Sequence, residues 1–196
     1  MLTALEIIDG ELYFDKSFLN SEHSQNVYQQ LLTEVDWRQD SIQMFGRRIA
    51  IPRLQAFQGE PGIQYCYSGL TLSTATWHPV LLKIKQQLEQ LSGYRFNSVL
   101  LNYYRTGKDS MGWHSDDEPE LGQNPTIASL SLGDDRRFLL RHRFNKSIPQ
   151  QELLLNSGSV LIMAGSLQHN WQHSLPKTAK AMQGRISLTF RHTYNQ

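Results

Sequence analysis

From Tyr94 to the end of the chain, apolar and polar residues alternate with a period of two, and this pattern limits the fold more than any other feature. Turn residues such as Gly107 and Gly133 separate the alternating segments. These segments are Phe96–Tyr104, Thr126–Leu132, Arg137–Arg143, Gln151–Leu155, Ser159–Met163 and Arg185–His192. Many short strands in a row, without helices between them, predict a β-sandwich or jelly roll.

The first half of the chain mixes helical and strand patterns. Ser24–Val35 carries apolar residues at helical spacing, and so does His78–Ser92, where Pro79 suits the first helical position and Gly93 the stop. Ile42–Phe57 is richer in β-forming residues. We therefore expect an α+β, mainly β, protein in which residues 1–93 form an N-terminal helical extension and residues 94–196 the β core of one compact unit.

Composition excludes several classes of protein. A chain of 196 residues with 39% hydrophobic residues suits one globular domain. The only cysteine, Cys66, rules out an intramolecular disulfide framework and a zinc site made of cysteines alone. The net charge of +1 rules out a uniformly basic nucleic-acid coat but not a local basic patch.

Hydropathy along the chain predicts an intracellular protein. No apolar run approaches the roughly 18 residues that a membrane span needs. Met1–Gly10 has no basic segment and contains Glu6 and Asp9, which is unlike a secretory signal. We expect no membrane contact and a monomer.

The last predicted strand, RISLTFR at Arg185–Arg191, has two contrasting faces. Alternation places two arginines and two hydroxyl residues on one face, namely Arg185, Ser187, Thr189 and Arg191. The other face carries Ile186, Leu188 and Phe190. Such a strand suits a barrel whose inner face holds an anion, because the arginine fork matches a carboxylate. The alternative is a solvated outer face.

The segment MGWHSDDE, at Met111–Glu118, carries a candidate metal pair. On a strand, His114 and Asp116 face the same side and form two-thirds of a 2-His-1-carboxylate iron site. By itself such a pair is more often a chance surface neighbourhood. A third ligand would have to come from QHNWQHS, where His169 and His173 are both candidates. Asn102 and Tyr104 also lie two apart, on the strand that leads into this loop.

Three motifs in this order, NYYRTGKDSMGWHSDDE, HSLP and RISLTFR, resemble the AlkB-type family of iron(II)- and 2-oxoglutarate-dependent dealkylases. The branch that repairs alkylated DNA bases is the most similar. The resemblance extends roughly from Ile42 to Arg191, and FGRR, IPR and YCYSGL are similar to that branch's nucleotide-recognition lid. It implies a double-stranded β-helix (jelly roll) with N-terminal helices and a lid.

The resemblance also implies roles for individual residues. The iron ligands would be His114, Asp116 and His173, which is preferred over His169 because it directly precedes SLP. The residues that would hold 2-oxoglutarate are Asn102, Tyr104, Arg185, Thr189 and Arg191. Of these, Arg185 and Tyr104 would take the distal carboxylate, and Asn102 and Arg191 the end nearer the iron. Ser187 stands where family members often have Asn.

The implied reaction is oxidative demethylation of bases such as 1-methyladenine and 3-methylcytosine in DNA. Oxygen and 2-oxoglutarate are consumed, and succinate, carbon dioxide and formaldehyde are released. The residues that would contact the flipped base are Phe45, Gly46, Arg47, Tyr65, Cys66, Tyr67, Asp117 and Glu118. Aromatic faces and acidic groups suit a methylated base that is cationic.

Basic residues are expected to bind the phosphate backbone. Arg47, Arg48 and Arg53 lie in the lid region, and a second group clusters on or near one strand: Arg136, Arg137, Arg141 and Arg143. Alternation gives Arg137, Arg141 and Arg143 a common face, which could form a ridge that contacts phosphate. The alternative for this ridge is a solvated strand face. Single- or double-stranded DNA is the expected partner. Other interpretations are a demethylase or hydroxylase of RNA or tRNA, a non-catalytic damaged-base binder, and a metal-free jelly roll that binds sugar or protein.

Overall fold

The computed structural model describes residues 1–44, 47–67 and 70–194, and the side chains of all of these except 43, 44, 47, 48, 67 and 70. The helices are α1 (Ser21–Glu34), α2 (Pro79–Ser92) and the short α3 (Leu167–Asn170). The first strands are β1 (Thr3–Leu5), β2 (Glu11–Asp15), β3 (Ser41–Met44), β4 (Arg47–Ala50), β5 (Leu54–Gly59), β6 (Gln64–Tyr67) and β7 (Leu70–Ser73). The later strands are β8 (Ser98–Tyr104), β9 (Met111–His114), β10 (Ile127–Gly133), β11 (Arg136–His142), β12 (Gln151–Leu155), β13 (Val160–Ala164), β14 (Trp171–Leu175) and β15 (Arg185–Arg191).

Two antiparallel sheets form the body of the protein. The large sheet has the strand order β1-β2-β13-β10-β15-β8-β5, and the small sheet has the order β12-β11-β14-β9. Side chains from both sheets meet in one apolar cluster, for example Leu100 and Met163 from the large sheet with Phe138 and Trp171 from the small one. This arrangement confirms the predicted mainly β jelly roll.

The large sheet buries both of its faces, which explains why its strands are apolar on one side and mixed on the other. Leu101, Leu130 and Leu188 belong to a second cluster that includes Leu31 of α1 and Ile84 of α2. The helices therefore cover the outer face of the large sheet, and the inner face is left for the space between the sheets.

Strands from both sides of residue 93 share the large sheet. The strands β1, β2 and β5 come from the first half of the chain, and β5 pairs with β8 along its whole length, from Leu54↔Tyr103 to Gly59↔Ser98. The division at residue 93 stays a prediction, and the shared sheet is what a single compact unit requires.

Local signals in the sequence set the ends of α2. The His78 side chain accepts a hydrogen bond from the Val80 backbone N–H, and Pro79 occupies the first turn. Gly93 ends the helix in the left-handed region, with φ at 76°. His78 is thus the N-cap, and its Nε2 also lies 2.9 Å from Oε2 of Glu34 in α1.

Two short hairpins lie outside the main sheets, in the region expected to form the lid. The strands β3 and β4 pair with each other, and β6 pairs with β7. The expectation of consecutive strands without helices was wrong in one place, because α3 interrupts the path from β13 to β14. No helix among the described residues is long and apolar enough to cross a membrane.

A matched pair of glycines tests the turn before β13. Gly158 and Gly62 have similar positive φ angles of 80° and 84°. A Cβ on Gly158 would collide with the Leu19 carbonyl oxygen, whereas a Cβ on Gly62 meets nothing within 4 Å. Gly62→Ala should therefore lose about 1–2 kcal/mol of unfolding free energy, the cost of the left-handed backbone, and Gly158→Ala clearly more. Urea unfolding measures both, and equal losses would contradict the close approach.

Candidate active site

Three candidate metal ligands meet at one end of the small sheet. His114 ends β9, and its backbone pairs with that of His173 on β14. Asp116 lies two residues beyond β9, so it reaches the site from a loop and not from the strand that the sequence predicted. One ligand atom from each of the three residues lies within 4.8 Å of the others. His169 lies apart on α3, where its Nε2 accepts a hydrogen bond from the Asn124 backbone N–H.

Protonation of this cluster suits a divalent cation. The Nδ1–H of His114 can donate to the Gly112 carbonyl at 3.0 Å, which leaves the lone pair of Nε2 free. Burial lowers the pKa of His173 to about 3 and also lowers the pKa of His114. Burial alone would raise the pKa of Asp116, but the positive charge of Arg191, with a smaller effect from the two neighbouring histidines, lowers it to about 2. Two neutral imidazoles and one carboxylate are the donors of a facial-triad iron site.

Arg191 links this cluster to the large sheet. Its Nη2 lies 3.0 Å from Oδ2 of Asp116, and both side chains are 4% exposed. Burial alone would lower the pKa of Arg191, but the negative charge of Asp116 raises it above its usual value. The Nε and Nη1 atoms of Arg191 are buried without a hydrogen-bond partner among the described residues. These donors remain free for a second anion.

A row of polar side chains crosses the inner face of the large sheet. Backbone pairing places Gln55 beside Asn102, Asn102 beside Ser187, and Ser187 beside Ser131. Two residues along the same strands, Arg185 pairs with Tyr104. Neighbours in such a row share a face of the sheet, so the row is polar because it lines the space between the two sheets.

Arg185 and Asn102 are held in place by different contacts. The Nη2 of Arg185 donates to Ser131 Oγ at 2.9 Å and to Ser187 Oγ at 3.4 Å. The Oδ1 of Asn102 accepts from Arg53 Nε at 2.6 Å and from Gln55 Nε2 at 2.9 Å. The amide oxygen of Asn102 is thus occupied, and its NH₂ group is left to donate into the cavity.

Sequence patterns placed Arg53 in the lid and did not identify Gln55, yet both residues belong to the site. Arg53 was expected to bind phosphate from the lid, but it is 4% exposed and holds Asn102. That expectation was wrong, because Arg53, the residue before β5, points its side chain toward Asn102 on the inner face of the large sheet. The spacing of Arg53 and Gln55 repeats that of Asn102 and Tyr104, yet only the register of β5 against β8 brings the two pairs together.

One cavity joins the metal cluster, both arginines and the polar row. Its lining also contains apolar side chains, and the Phe138 ring lies 5.2 Å from the ring of His173. All five residues predicted to hold 2-oxoglutarate contribute to it. The full lining is Leu100, Asn102, Tyr104, Met111, His114, Asp116, Ser129, Phe138, Met163, His173, Leu175, Arg185, Ser187, Thr189 and Arg191.

The predicted substrate residues are divided between the site and its surroundings. Tyr65 is buried, with Arg191 over its ring at 4.9 Å, so that face is not open for a base to stack on. Its hydroxyl is hydrogen-bonded to Glu118. Burial and the neighbouring Asp116 raise the pKa of Glu118 to about 7. Asp117 is exposed and pairs with Arg143 at 2.8 Å.

Other predicted substrate residues either do not line the cavity or lie outside the described residues. Cys66 is exposed on β6, and its Sγ lies 3.2 Å from Thr71 Oγ1, so its contact with a base stays a prediction. Phe45 and Gly46 lie outside the described residues. The backbones of Arg47 and Tyr67 belong to β4 and β6, but their side chains are not described.

The predicted arginine ridge is only partly present. Arg136 points inward and is 2% exposed, so it cannot contact phosphate. Arg137 is bound to Glu152 by two hydrogen bonds of 2.7 Å. Arg141 lies 4.3 Å above the Trp113 ring and donates to the neutral Gln172, so its charge is not balanced by that partner. Arg143 follows the end of β11.

The fold and the cavity define an oxygenase of a known superfamily. The model of the 2OG-Fe(II) oxygenase superfamily matches residues 11–191. This chain belongs to that superfamily, whose chemistry requires Fe(II) and 2-oxoglutarate.

The individual proteins that resemble this chain carry more specific names than the superfamily. Alpha-ketoglutarate-dependent dioxygenase alkB homolog 3 of Bos taurus is 40% identical over 185 residues, covering 90% of this chain and 64% of that protein. DNA oxidative demethylase ALKBH2 of Homo sapiens is 38% identical over 174 residues, covering 84% of this chain and 67% of that protein. The chain therefore spans just under two-thirds of the length of the alkB homolog 3 relative. A solved structure of OsALKBH1 covers 97% of the chain with a TM-score of 0.70 at 19% identity, which supports the fold.

The loop between β8 and β9 yields a prediction on pH. Asp109 accepts two hydrogen bonds from the Arg105 side chain and one from the Arg105 backbone N–H. Burial raises its pKa, but these bonds and the arginine charge lower it below its usual value. A carboxyl whose pKa is lower in the folded state stabilises the fold above its unfolded pKa, near 3.9, and loses this effect as the pH falls through the folded pKa.

Asp109→Asn should therefore lower the unfolding free energy by about 1–2 kcal/mol at pH 7. The difference from the unchanged protein should shrink as the pH falls below about 4. Asp36→Asn is the matched control, because Asp36 bonds an arginine on the exposed surface and should show no measurable change. Denaturant unfolding at several pH values measures both, and a constant deficit for Asp109→Asn would contradict the assignment.

Proposed function

We propose that the chain is an Fe(II)- and 2-oxoglutarate-dependent oxidative demethylase of N-alkylated bases in DNA. The observation that carries the proposal is the joining, in one cavity, of the His114–Asp116–His173 cluster with two buried arginines that retain free donors. The names of the alkB homolog 3 and ALKBH2 relatives support the activity and the DNA substrate.

His114, Asp116 and His173 would hold Fe(II). Nothing needs to be deprotonated for this at neutral pH, because the pKa of His173 is lowered to about 3 and that of Asp116 to about 2. With 2-oxoglutarate and oxygen, Fe(II) supplies the oxidising chemistry that hydroxylates the methyl group, with succinate, carbon dioxide and formaldehyde as products.

The arginines would orient the co-substrate. Arg185 lies 5.4 Å from the Tyr104 ring, at the end of the cavity away from Asp116, and is the proposed partner of the distal carboxylate. Arg191, bound to Asp116, and the NH₂ group of Asn102 would contact the end nearer the metal. Thr189 lines the cavity between the two arginines.

The substrate side of the site is acidic and aromatic. Glu118 and Tyr65 are bonded to each other beside Arg191, and Asp117 lies at the surface. Asp117 is already paired with Arg143, so it is the ionised form of Glu118 that would favour a cationic base such as 1-methyladenine or 3-methylcytosine. Contacts from Phe45, Gly46, Arg47 and Tyr67 of the lid stay predictions.

The outer face of the small sheet would contact the phosphate backbone. Trp113 and Gln172 each precede a candidate metal ligand in sequence, and both hold Arg141. Alternation along β9 and β14 turns these two side chains away from the cavity. The same surface could hold RNA, so an RNA demethylase is the second candidate, supported by the same contacts. A monomeric state and an intracellular location remain predictions.

Release of formaldehyde tests the proposal. The protein would be supplied with Fe(II), ascorbate and 2-oxoglutarate, together with single-stranded DNA, duplex DNA or RNA carrying 1-methyladenine. His173→Ala should abolish release, because the metal loses one of three ligands, while nucleic-acid binding persists. His169→Ala is the matched control and should retain activity, since His169 lies outside the cluster.

Two results would count against this function. Undiminished formaldehyde release by His173→Ala would remove the metal assignment, and no release from any of the three nucleic acids would remove the proposal itself. The preference for a cationic base is checked with N6-methyladenine in the same DNA, where comparable turnover would contradict it. A substrate preference for RNA would select the second candidate.

The basic outer face gives a prediction on salt dependence. Arg141→Gln should weaken binding of unmodified DNA and reduce the slope of log affinity against log salt by roughly 1, because one phosphate contact is lost. Arg137→Gln should change the slope less, since Glu152 already neutralises Arg137. Fluorescence anisotropy at several salt concentrations measures both slopes. Equal slopes for the unchanged protein and Arg141→Gln would exclude this contact.

A further inference from the structure

A further buried arginine lies behind the proposed co-substrate site. Arg136 begins β11 in the small sheet, is 2% exposed, and does not line the cavity. Its guanidinium carbon lies 5.8 Å from the centroid of the Tyr104 ring, and that of Arg185 lies 5.4 Å from the same centroid. The ring of Tyr104 is therefore shared by two guanidinium groups, one from each sheet.

Neither guanidinium has an ion pair among the described residues. Arg136 Nη2 donates to the backbone carbonyls of Asp109 and Pro176, at 2.9 and 2.6 Å, and Nη1 is buried without a partner. The carboxylate with the largest effect on the pKa of Arg136 is that of Asp109, and this carboxylate is already hydrogen-bonded to Arg105. Among the described residues, the hydrogen bonds of Arg185 go to hydroxyl groups, and its buried Nε has no partner there.

Two buried charges of the same sign oppose each other unless an anion joins them. Burial lowers the pKa of Arg185 to about 10, with a further lowering from the charge of Arg136. Tyr104 has the opposite effect on the pKa of both arginines. This end of the cavity therefore has two positive charges nearby, whereas a single contact between Arg185 and a carboxylate would require only one.

We infer that Arg136 is a positioning residue that selects a 2-oxo acid with a second, distal carboxylate, acting through the Tyr104 ring and the shared charge around it. The inference rests on the proposed function, since it concerns the co-substrate of the same cavity. Arg136 touches no substrate atom. It braces Tyr104 from the small sheet, and its charge adds to that of Arg185 at the place where the distal carboxylate would lie.

Binding of two acids of equal length tests the inference without any turnover. Titration calorimetry would use the full chain loaded with Mn(II), and the probes would be 2-oxoglutarate and 2-oxopentanoate, which has a methyl group in place of the distal carboxylate. Arg136→Met should weaken binding of 2-oxoglutarate roughly tenfold and leave binding of 2-oxopentanoate nearly unchanged. The ratio of the two affinities is therefore the readout.

Two further variants separate charge from structure. Arg137→Met is the matched control, because Arg137 is the next residue but points outward and pairs with Glu152, so the ratio should not change. Arg136→Lys keeps the charge and loses the fork that bonds two carbonyls, so the ratio should stay close to that of the unchanged protein. It also serves if Arg136→Met fails to fold.

Three outcomes would overturn the inference. These are equal weakening of both acids by Arg136→Met, no weakening of either acid, and a ratio for Arg136→Lys as low as that for Arg136→Met. Because nucleic acid and turnover are absent, these outcomes leave the demethylase proposal standing. Conversely, a failure to release formaldehyde from any nucleic acid leaves the ratio of the two acids as a valid test of Arg136.

Discussion

The buried ion pair between Arg191 and Asp116 connects the candidate metal site to the strand that carries both cavity arginines. Arg191 ends β15 of the large sheet, and Asp116 follows β9 of the small sheet, so the pair joins the two sheets at the metal end of the cavity. A carboxylate buried to this degree would be unfavourable alone. The arginine keeps it ionised, and an ionised carboxylate is what a metal ligand must be.

At the opposite end of the cavity, no carboxylate among the described residues pairs with the two buried arginines. There Arg185 is hydrogen-bonded to the hydroxyl groups of Ser131 and Ser187, and Arg136 to backbone carbonyls. One end of the cavity is therefore a neutralised pair beside three ligand atoms, and the other is an uncompensated cationic pocket. This asymmetry would give the proposed dicarboxylate co-substrate a defined direction, with one carboxylate toward each arginine.

The fold protects this arrangement by burying the large sheet on both faces. The helices α1 and α2 cover the outer face, so alternation along β8 and β15 can assign one face entirely to the apolar core and the other to the cavity. In the proposed function, the residues that would contact phosphate or a base lie on the outer face of the small sheet and in the lid hairpins. The proposed oxidation and the proposed phosphate contacts would therefore use opposite sides of β9 and β14.

Much of this could be predicted from the sequence, because alternation and capping are local. The alternation of residues in RISLTFR predicted the two faces of β15, and Pro79 and Gly93 predicted the ends of α2. The pairing of His114 with His173 was expected from a family resemblance, since spacing alone left His169 equally eligible. The place of Arg53 was wrong because the direction of a side chain depends on how its segment packs in the sheet, which no local pattern contains.

The sequence by itself determined which side chains share a strand face and where the helices begin and end, since neighbours in the chain dictate both. Only the tertiary structure decided which faces meet. Register placed Gln55 against Asn102, and the packing of the small sheet turned Arg136 inward to Tyr104 while Arg137 went out to Glu152. Contacts between residues far apart in the chain depend on how the two sheets close around a common core, and that closure assigned each arginine its partner.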